Sequence, residues 1–361
     1  MNPAPILIMA GGTGGHIFPG IAVAQELQSR NIPVLWLGSV GGLETRLVPN
    51  AGLPIETLDI GGIRGKGWRT LIGAPLRLAR AVISAWRLMR RVRPRSALSL
   101  GGFASGPGGI ASWLAGVGLV VHEQNSVPGV TNRTLSHFAK KVLSGFSGAL
   151  AQAEWVGNPV RKEISAIPIP AERFAGRAGP THLLVLGGSQ GAQGINAMLP
   201  HVISGVDASR RPRVRHQCGP KHLEKTRAMY ASANVDAQVD AFIDDMAGAY
   251  AWADIVVCRA GALTLAELCA AGLPSILVPF PAAVDDHQTH NAQALVACGA
   301  ARLVAEGDGF AANLGVAFNA LIGGEDAERR ARLLAMAESA RMLAKPDAAA
   351  RIADACIEAA A

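Results

Sequence analysis

The stretch GGTGGHIFPG, Gly11 to Gly20, follows the apolar run Ile6-Leu7-Ile8-Met9 and precedes Ile21, Ala24 and Leu27, which recur at helical spacing. Strand, glycine turn and helix in that order are the grammar of a mononucleotide-binding unit. Glycines let the backbone turn sharply and approach a ligand, and a helix that starts there points its first N–H groups outward. His16 stands inside the turn, where phosphate loops ordinarily carry no titratable group. A lone glycine turn that merely caps a helix has the same local pattern, so repetition along the chain decides between the two.

The device repeats. Apolar runs at Val34–Leu37, Ile55–Leu58, Ala97–Leu100, Leu119–Val121 and Lys141–Leu143 predict parallel strands alternating with helices. One helix is expected near Pro75 to Val92, with Leu76, Ala79, Ile83, Trp86 and Met89 on one face and Arg77, Arg80, Arg87 and Arg91 on the other. A second glycine loop, GGFASGPGG (Gly101 to Gly109), follows the fourth strand, and HEQN (His122 to Asn125) ends the fifth. A short helix is expected from Val130 to Phe138. The motif VGNPVR (Val156 to Arg161) leads into a Pro- and Gly-rich stretch, Pro159 to Pro180, which reads as the interdomain linker.

The second half restarts the pattern with a strand at His182–Leu186, a glycine loop GGSQGAQG (Gly187 to Gly194) and a helix at Ile195–Ile203. Further strands are expected at Val214–Gln217, Val235–Ala241, Ile255–Val257 and Ser275–Val278. RAGALTLAE (Arg259 to Glu267) joins a strand to a helix, and DDHQTHNA (Asp285 to Ala292) opens another. The tail from Gly309 to Ala361 reads as Ala-rich helix. The predicted architecture is α/β, two Rossmann-like domains facing across a cleft.

Composition agrees with that class. A chain of 361 residues exceeds one ordinary core, and half of it is apolar with only 17% charged. Five cysteines, Cys218, Cys258, Cys269, Cys298 and Cys356, show no paired spacing and read as reduced core residues. No basic region precedes the apolar run at Ile6, which argues against a signal peptide. The uncharged stretch Ser96 to Val121 is broken by glycines, which argues against a membrane span. The net charge of +7 is concentrated: Arg64, Lys66, Arg69, Arg77, Arg80, Arg87, Arg90, Arg91, Arg93 and Arg95 lie in a segment without a single acid. A solvated surface helix and an anionic membrane surface, met through segment 64–95 with Trp68 and Trp86, both suit it. Nucleic acid is not expected, because no binding motif accompanies the charge.

The RAGALTLAE turn carries the most specific chemistry. The N–H groups of Ala262, Leu263 and Thr264 would leave a helix start, a natural seat for a diphosphate. Glu267, one turn further, suits the paired hydroxyls of a ribose. No Asp-x-Asp pair and no Walker lysine is present, so neither a metal-held nucleotide sugar nor a P-loop is indicated. No acid stands in a ribose-binding place after the first glycine turn, which disfavours an NAD reading.

In order along the chain, GGTGGHIFPG, GGFASGPGG, HEQN, VGNPVR, GGSQGAQ, FIDDM, CRAGALTLAE and HQTHNA resemble the MurG family from about Ile6 to Leu295. These are the UDP-N-acetylglucosamine transferases that convert lipid I to lipid II in bacterial peptidoglycan synthesis. The resemblance implies a GT-B fold with an N-terminal domain over 1–160 on the acceptor and membrane side. It implies a donor domain over 161–340 and a last helix, 341–361, packing back on the first domain. It further implies that Thr13, Gly14, Gly15 and Asn125 meet the donor from the N-terminal side. Arg161, Ser189, Ile243, Ala262, Leu263, Thr264, Leu265, Ala266 and Glu267 would hold UDP, and Gln288 the N-acetylglucosamine. Gly101, Gly102, Phe103 and Ser105 would serve the acceptor, lipid I. Transfer with inversion needs a base for the acceptor 4-hydroxyl, with His16 the first candidate and Glu123 the second. No cofactor and no metal are implied, and the place would be the cytoplasmic face of the cell membrane, peripherally.

Phe103 stands where some members carry tyrosine, Ala266 where others carry serine, and Ala282-Ala283-Val284 matches no known pattern. On fold alone a UDP-N-acetylglucosamine 2-epimerase, another UDP-sugar GT-B transferase, an NAD oxidoreductase or a non-catalytic sugar-nucleotide sensor remains open.

Overall fold

The computed structural model describes residues 4–60, 74–188 and 191–360. The chain divides into two compact units, Met1–Val160 with Lys345–Ala361, and Arg161–Ala344. The first unit carries β1 (Ile6–Ala10), β2 (Val34–Ser39), β3 (Ile55–Leu58), β4 (Ser96–Gly101), β5 (Gly118–Glu123), β6 (Lys141–Ser144) and β7 (Glu154–Trp155). They form one parallel sheet in the order β3-β2-β1-β4-β5-β6-β7. The second unit carries β8 (His182–Leu186), β9 (Arg213–Gln217), β10 (Ala237–Asp240), β11 (Ile255–Cys258), β12 (Ser275–Leu277) and β13 (Ala301–Leu303), again all parallel, in the order β10-β9-β8-β11-β12-β13.

Both sheets are doubly wound, and in such sheets the strand order reverses at one point where ligands gather beyond the carboxyl ends. In the first unit the reversal lies between β1 and β4, so the loops at Gly11 and Gly101 meet there. In the second it lies between β8 and β11, which brings the Gly187 loop beside RAGAL. The strands read as continuous apolar runs because helices cover both faces: Ile6 to Ala10 are all fully buried.

The stretch Pro159 to Pro180, expected as the interdomain linker, belongs to the second unit from Arg161 onward. It folds into helices Lys162–Ser165 and Pro170–Phe174 as part of the second unit. Buried Arg173 donates to the carbonyls of Ala271 (2.8 Å) and Gly272 (2.5 Å), closing the end of helix Ala262–Ala271. Arg177 pairs with buried Asp254. The expectation missed this because prolines break long helices but readily start short ones.

Helix Ala74–Val92 also departs from its expected orientation. Ala81, Ala85, Leu88 and Met89 are buried, while Leu76, Ile83 and Trp86 are 58%, 49% and 38% exposed. The alanines permit close approach to helix Ser105–Leu114, and the larger apolar side chains turn outward with the arginines. Arg64, Lys66, Trp68 and Arg69 lie outside the described residues.

Lys345–Ala361 belongs to the first unit. Helix Ala348–Glu358 lies against helix Gly14–Ser29, and Ile352, Ala353, Ala355 and Cys356 share a core with Leu98, Leu100 and Val120. Ser96 Oγ donates to the Cys356 carbonyl at 2.6 Å. Ile352 is fully buried, so Ile352→Ala is expected to cost about 2–5 kcal/mol in denaturant unfolding. A loss below about 1 kcal/mol would show that this helix is not part of the first unit's core.

Candidate functional site

At the end of β1 three successive carbonyls are each taken by a side chain. Met9 O accepts from Ser105 Oγ (2.8 Å), Ala10 O from Trp36 Nε1 (2.9 Å) and Gly11 O from His16 Nδ1 (3.0 Å). Gly12 then turns with φ +86°. Helix Gly14–Ser29 begins with bonds from the His16 and Ile17 N–H groups to Thr13 O, and Thr13 makes no side-chain cap. The Gly14 and Gly15 N–H groups therefore point out of the helix end, an anion-binding arrangement.

A carbonyl only accepts, so the proton of neutral His16 is on Nδ1 and Nε2 is the basic nitrogen. The second glycine loop makes room for it. A Cβ at Gly101 (φ +100°) would stand 3.2 Å from Nε2, and one at Gly102 (φ +96°) would stand 2.4 Å from the Gly11 carbonyl oxygen. Ser105, expected at the acceptor, is fully buried, its hydroxyl directed to the Met9 and Gly101 carbonyls (2.8 and 2.7 Å). Phe103 is 49% exposed beside it in sequence.

Glu123 is occupied with holding its own loop. Oε1 accepts from the Asn125 N–H (3.0 Å) and side-chain amide (3.4 Å), and Oε2 from the Gly129 N–H (3.1 Å) and Asn132 Nδ2 (3.0 Å). It is 2% exposed. Both carboxylate oxygens are thus bonded to donors of this loop and its neighbouring helix. Buried Asn132, which sequence reading passed over, also accepts from Ser99 Oγ (3.0 Å) and donates to the His122 carbonyl (3.2 Å). His122 donates through Nε2 to Gly157 O (2.9 Å) and accepts from Gln124 at Nδ1 (3.2 Å). Asn158 Nδ2 donates to Gln124 O (2.9 Å). HEQN and VGNP are thus one buried network.

In the second unit, helix Ala262–Ala271 starts after Gly261 without a side-chain cap, and its first bond runs from the Leu265 N–H to Gly261 O. The N–H groups of Ala262, Leu263 and Thr264 leave the helix end. Glu267 Oε1 accepts from Arg161 Nη2 (2.8 Å) and Nε (3.2 Å), and Oε2 from Tyr250 OH (3.0 Å). Tyr250, a buried side chain beyond the reach of sequence reading, has its phenol pushed up by burial and by the neighbouring carboxylate. Leu265 is 1% exposed and packs in the core; Ala266 and Ile243 are half-buried. Gln288 Oε1 accepts from the Phe280 N–H (2.9 Å), at the start of helix His287–Ala297. The glycine loop is fastened by Gln217, whose carbonyl and Oε1 accept from the Gly187 and Gly188 N–H groups (2.8 and 2.9 Å). Ser189 lies outside the described residues. Among the described residues no cluster of three or more His, Cys, Asp or Glu side chains could hold a metal ion.

The fold and these two sites define a two-domain, nucleotide-sugar-dependent glycosyltransferase. Residues 6–144 match the glycosyltransferase family 28 N-terminal domain and residues 182–349 its C-terminal domain. The chain is 56% identical over 350 residues to the UDP-N-acetylglucosamine–N-acetylmuramyl-(pentapeptide) pyrophosphoryl-undecaprenol N-acetylglucosamine transferase of Xanthomonas campestris pv. campestris (strain 8004), spanning 97% of this chain and 81% of that protein. The transferase of the same name from Xylella fastidiosa (strain Temecula1 / ATCC 700964) is 55% identical over 352 residues, 97% of this chain and 95% of its own length. The crystal structure of MurG from Acinetobacter baumannii superposes with a TM-score of 0.88 at 37% identity, covering 99% of this chain and 100% of that one. The chain belongs to this family, the MurG transferases. The UDP-GlcNAc 2-epimerase of Neisseria meningitidis, at 11% identity and a TM-score of 0.65 over 98% of this chain and 100% of that one, shares the fold alone.

Burial pushes the His122 imidazole down to about 4 and that of His216 to about 3. His216 is buried between Tyr230 OH and Asn196 Oδ1, each 3.0 Å away. Both are neutral in the folded state, and the unfolded chain takes up their protons near pH 6.5. Stability is therefore unaffected by them above pH 6.5 and falls as pH drops from about 6.5 towards 4, by about 3 kcal/mol for His122 alone. Unfolding free energies measured across that range should decline less steeply in His122→Gln; an unchanged slope would place the proton uptake elsewhere.

Proposed function

We propose that the protein transfers N-acetylglucosamine from UDP-GlcNAc to the 4-hydroxyl of the muramyl sugar of lipid I by one inverting displacement, with His16 as the base. The protein is a UDP-GlcNAc-dependent glycosyltransferase, and its transfer makes lipid II. The observation that carries the mechanistic reading is the Nδ1–Gly11 bond, which leaves Nε2 basic beside the glycine loop Gly101-Gly102. The attacking hydroxyl gives its proton to Nε2 as its oxygen bonds to the anomeric carbon, and the bond to the UDP oxygen breaks.

The charge of the departing diphosphate would be met by the N–H groups at the start of helix Ala262–Ala271 and by Arg161. Glu267, fixed by Tyr250, would accept from the ribose hydroxyls, and Gln288 would meet the sugar. Thr13, Gly14, Gly15 and Asn125 would complete the donor contacts from the first unit. Gly101, Gly102 and Phe103 would take the acceptor's diphosphate and sugar; Ser105, turned inward, shapes that loop rather than touching substrate.

The expected outcome for His16→Ala is a loss of about 100-fold or more in acceptor-dependent UDP release with UDP-GlcNAc binding retained. Full turnover in His16→Ala would remove His16 as base. UDP release without acceptor would point away from transfer.

The family's acceptor is lipid-linked, and the outward face of helix Ala74–Val92 supports attachment to an anionic membrane. Exposed Leu76, Ile83 and Trp86 stand among exposed Arg77, Arg80, Arg87 and Arg90, with Arg90 over the Trp86 ring at 5.5 Å. Trp113 and Leu114 at the end of the neighbouring helix are each 55% exposed, and the Phe138 ring packs tilted against Trp113 at 5.3 Å. Among the described residues no helix is long and apolar enough to cross a membrane. Each basic residue near an anionic surface contributes about 1 kcal/mol. Cosedimentation with phosphatidylglycerol vesicles should fall at least ten-fold in Ile83→Glu/Trp86→Glu, with turnover of a water-soluble acceptor kept; equal binding to neutral vesicles would refute the electrostatic part.

A further inference from the structure

Glu44 opens helix Glu44–Asn50, next in the chain after β2, and is fully buried. Its Oε1 accepts from Ser39 Oγ (2.6 Å) and the Ser39 N–H (2.8 Å), and its Oε2 from the Gly12 N–H (3.1 Å). The socket is cut for this side chain: a Cβ at Gly11, Gly38 or Gly42 would stand 2.3, 2.6 or 2.4 Å from it. Burial alone would raise its pKa, but the donors from Ser39, from its own N–H and from Gly12 outweigh burial and hold it below the ordinary carboxylate value. Glu44 is a buried, ionised carboxylate.

The peptide it binds is the one that holds His16. The N–H of the Gly11–Gly12 peptide donates to Glu44, and the C=O of the same peptide accepts from His16 Nδ1 at 3.0 Å. In a trans peptide those two groups point in opposite directions. Glu44 and His16 therefore sit at the two ends of one peptide dipole. A negative charge behind the N–H draws the dipole into line and adds electron density to the carbonyl oxygen. The bond from Nδ1–H strengthens, and an imidazolium formed by proton uptake at Nε2 is stabilised. A carboxylate bonded directly to a histidine acts on tautomer and charge in the same way. Here a peptide bond is interposed.

We infer that Glu44 is a positioning residue for the transfer: through the Gly11–Gly12 peptide it keeps His16 in the Nδ1–H tautomer and steadies the imidazolium that forms when Nε2 takes the acceptor's proton. The inference rests on the reading of His16 as base. Several other charged groups on the elements around His16 are engaged elsewhere. Glu123 is held by Asn125, Gly129 and Asn132, and Arg133 turns to the Pro128 carbonyl. Glu26 and Arg30, at the far end of the His16 helix, pair with each other and with Asp354 of the packed C-terminal helix.

The test is the pH dependence of kcat/KM of the full-length protein with a water-soluble lipid I analogue. It compares wild type, Glu44→Gln, Glu44→Asp and His16→Ala, each checked for folding by thermal melting. Glutamine carries no charge and cannot accept from both the Gly12 and Ser39 N–H groups. In Glu44→Gln the rising limb should move to lower pH by about one unit and kcat should fall about ten-fold, with KM for UDP-GlcNAc within about two-fold. Glu44→Asp, which keeps the charge, should recover part of both. A purely structural Glu44 would lower the melting temperature and the yield of active protein while leaving the limb in place, and that result overturns the inference. If His16→Ala keeps the wild-type limb, the base assignment fails instead. If neither Glu44 variant folds, 15N-histidine spectra of the wild type, assigned by the signals lost in His16→Ala, decide the question. The neutral Nδ1–H tautomer is expected, and an Nε2–H tautomer overturns the inference.

Discussion

The first unit's site depends on one close approach, the backbone of Gly102 against that of Gly11. A Cβ at Gly102 would come within 2.4 Å of the Gly11 oxygen, so no other residue fits there without movement. The approach follows from a slip in register between β1 and β4: Met9 pairs with Ser99, but Ala10 pairs with Gly101. The skipped residue lets Gly101 and Gly102 adopt positive φ and fold over the end of β1. Ser105, Trp36 and His16 then take the three carbonyls that the turn would strand. Each bond contributes about 1 kcal/mol, but together they leave the turn a single conformation, which is the condition for holding a catalytic side chain in place.

Three histidines in this protein obey one rule with different results. His122 gives one ring nitrogen to a carbonyl and the other to Gln124, and His216 gives its two to Asn196 and Tyr230. With both nitrogens bonded inside the protein and burial opposing charge, these rings are struts. His16 gives only Nδ1 to a carbonyl and is half-buried. Tautomer is thus fixed in all three by the same physical means. Only at His16 does the basic nitrogen face a place where a substrate hydroxyl can stand in the proposed reaction.

The parts of this architecture written locally were legible in the sequence. A glycine turn between an apolar run and a helical repeat has one geometric solution, and two such turns per unit name the reversal point of each sheet. The parts that depend on distant partners were not. Glu44 looks like an ordinary first-turn acid, because its partner Gly12 lies 32 residues away. Tyr250 and Asn132 carry no local signal, because their partners Glu267 and Glu123 lie elsewhere in the chain. The strands at Glu154–Trp155 and Ala301–Leu303 are too short for a period-2 signal. Helix Ala74–Val92 buries Ala81 and Ala85 with Leu88 and Met89 and leaves Leu76, Ile83 and Trp86 exposed, so counting hydrophobicity favours the wrong side. Packing chose the side with Ala81 and Ala85, since small side chains let two helices approach.

The second unit poses an electrostatic difficulty that its own residues resolve. A carboxylate one turn into a helix whose N-terminus is to hold a diphosphate puts like charges close together, a repulsion of several kcal/mol at an effective dielectric of about 20 and a separation of a few ångströms. Arg161 cancels that charge through two bonds to Oε1 of Glu267, while Tyr250 fixes Oε2 from the buried side. In the proposed donor site the pair would present an incoming nucleotide with a near-neutral acceptor, oriented and still able to bind hydroxyls. Because the Arg161 side chain is half exposed and Tyr250 is buried, the guanidinium is the partner that would shift towards phosphate as ribose took its place in the proposed complex. In the proposed reaction the same two charges would serve a resting site, in which they satisfy each other, and an occupied one, in which each would face the part of UDP it complements.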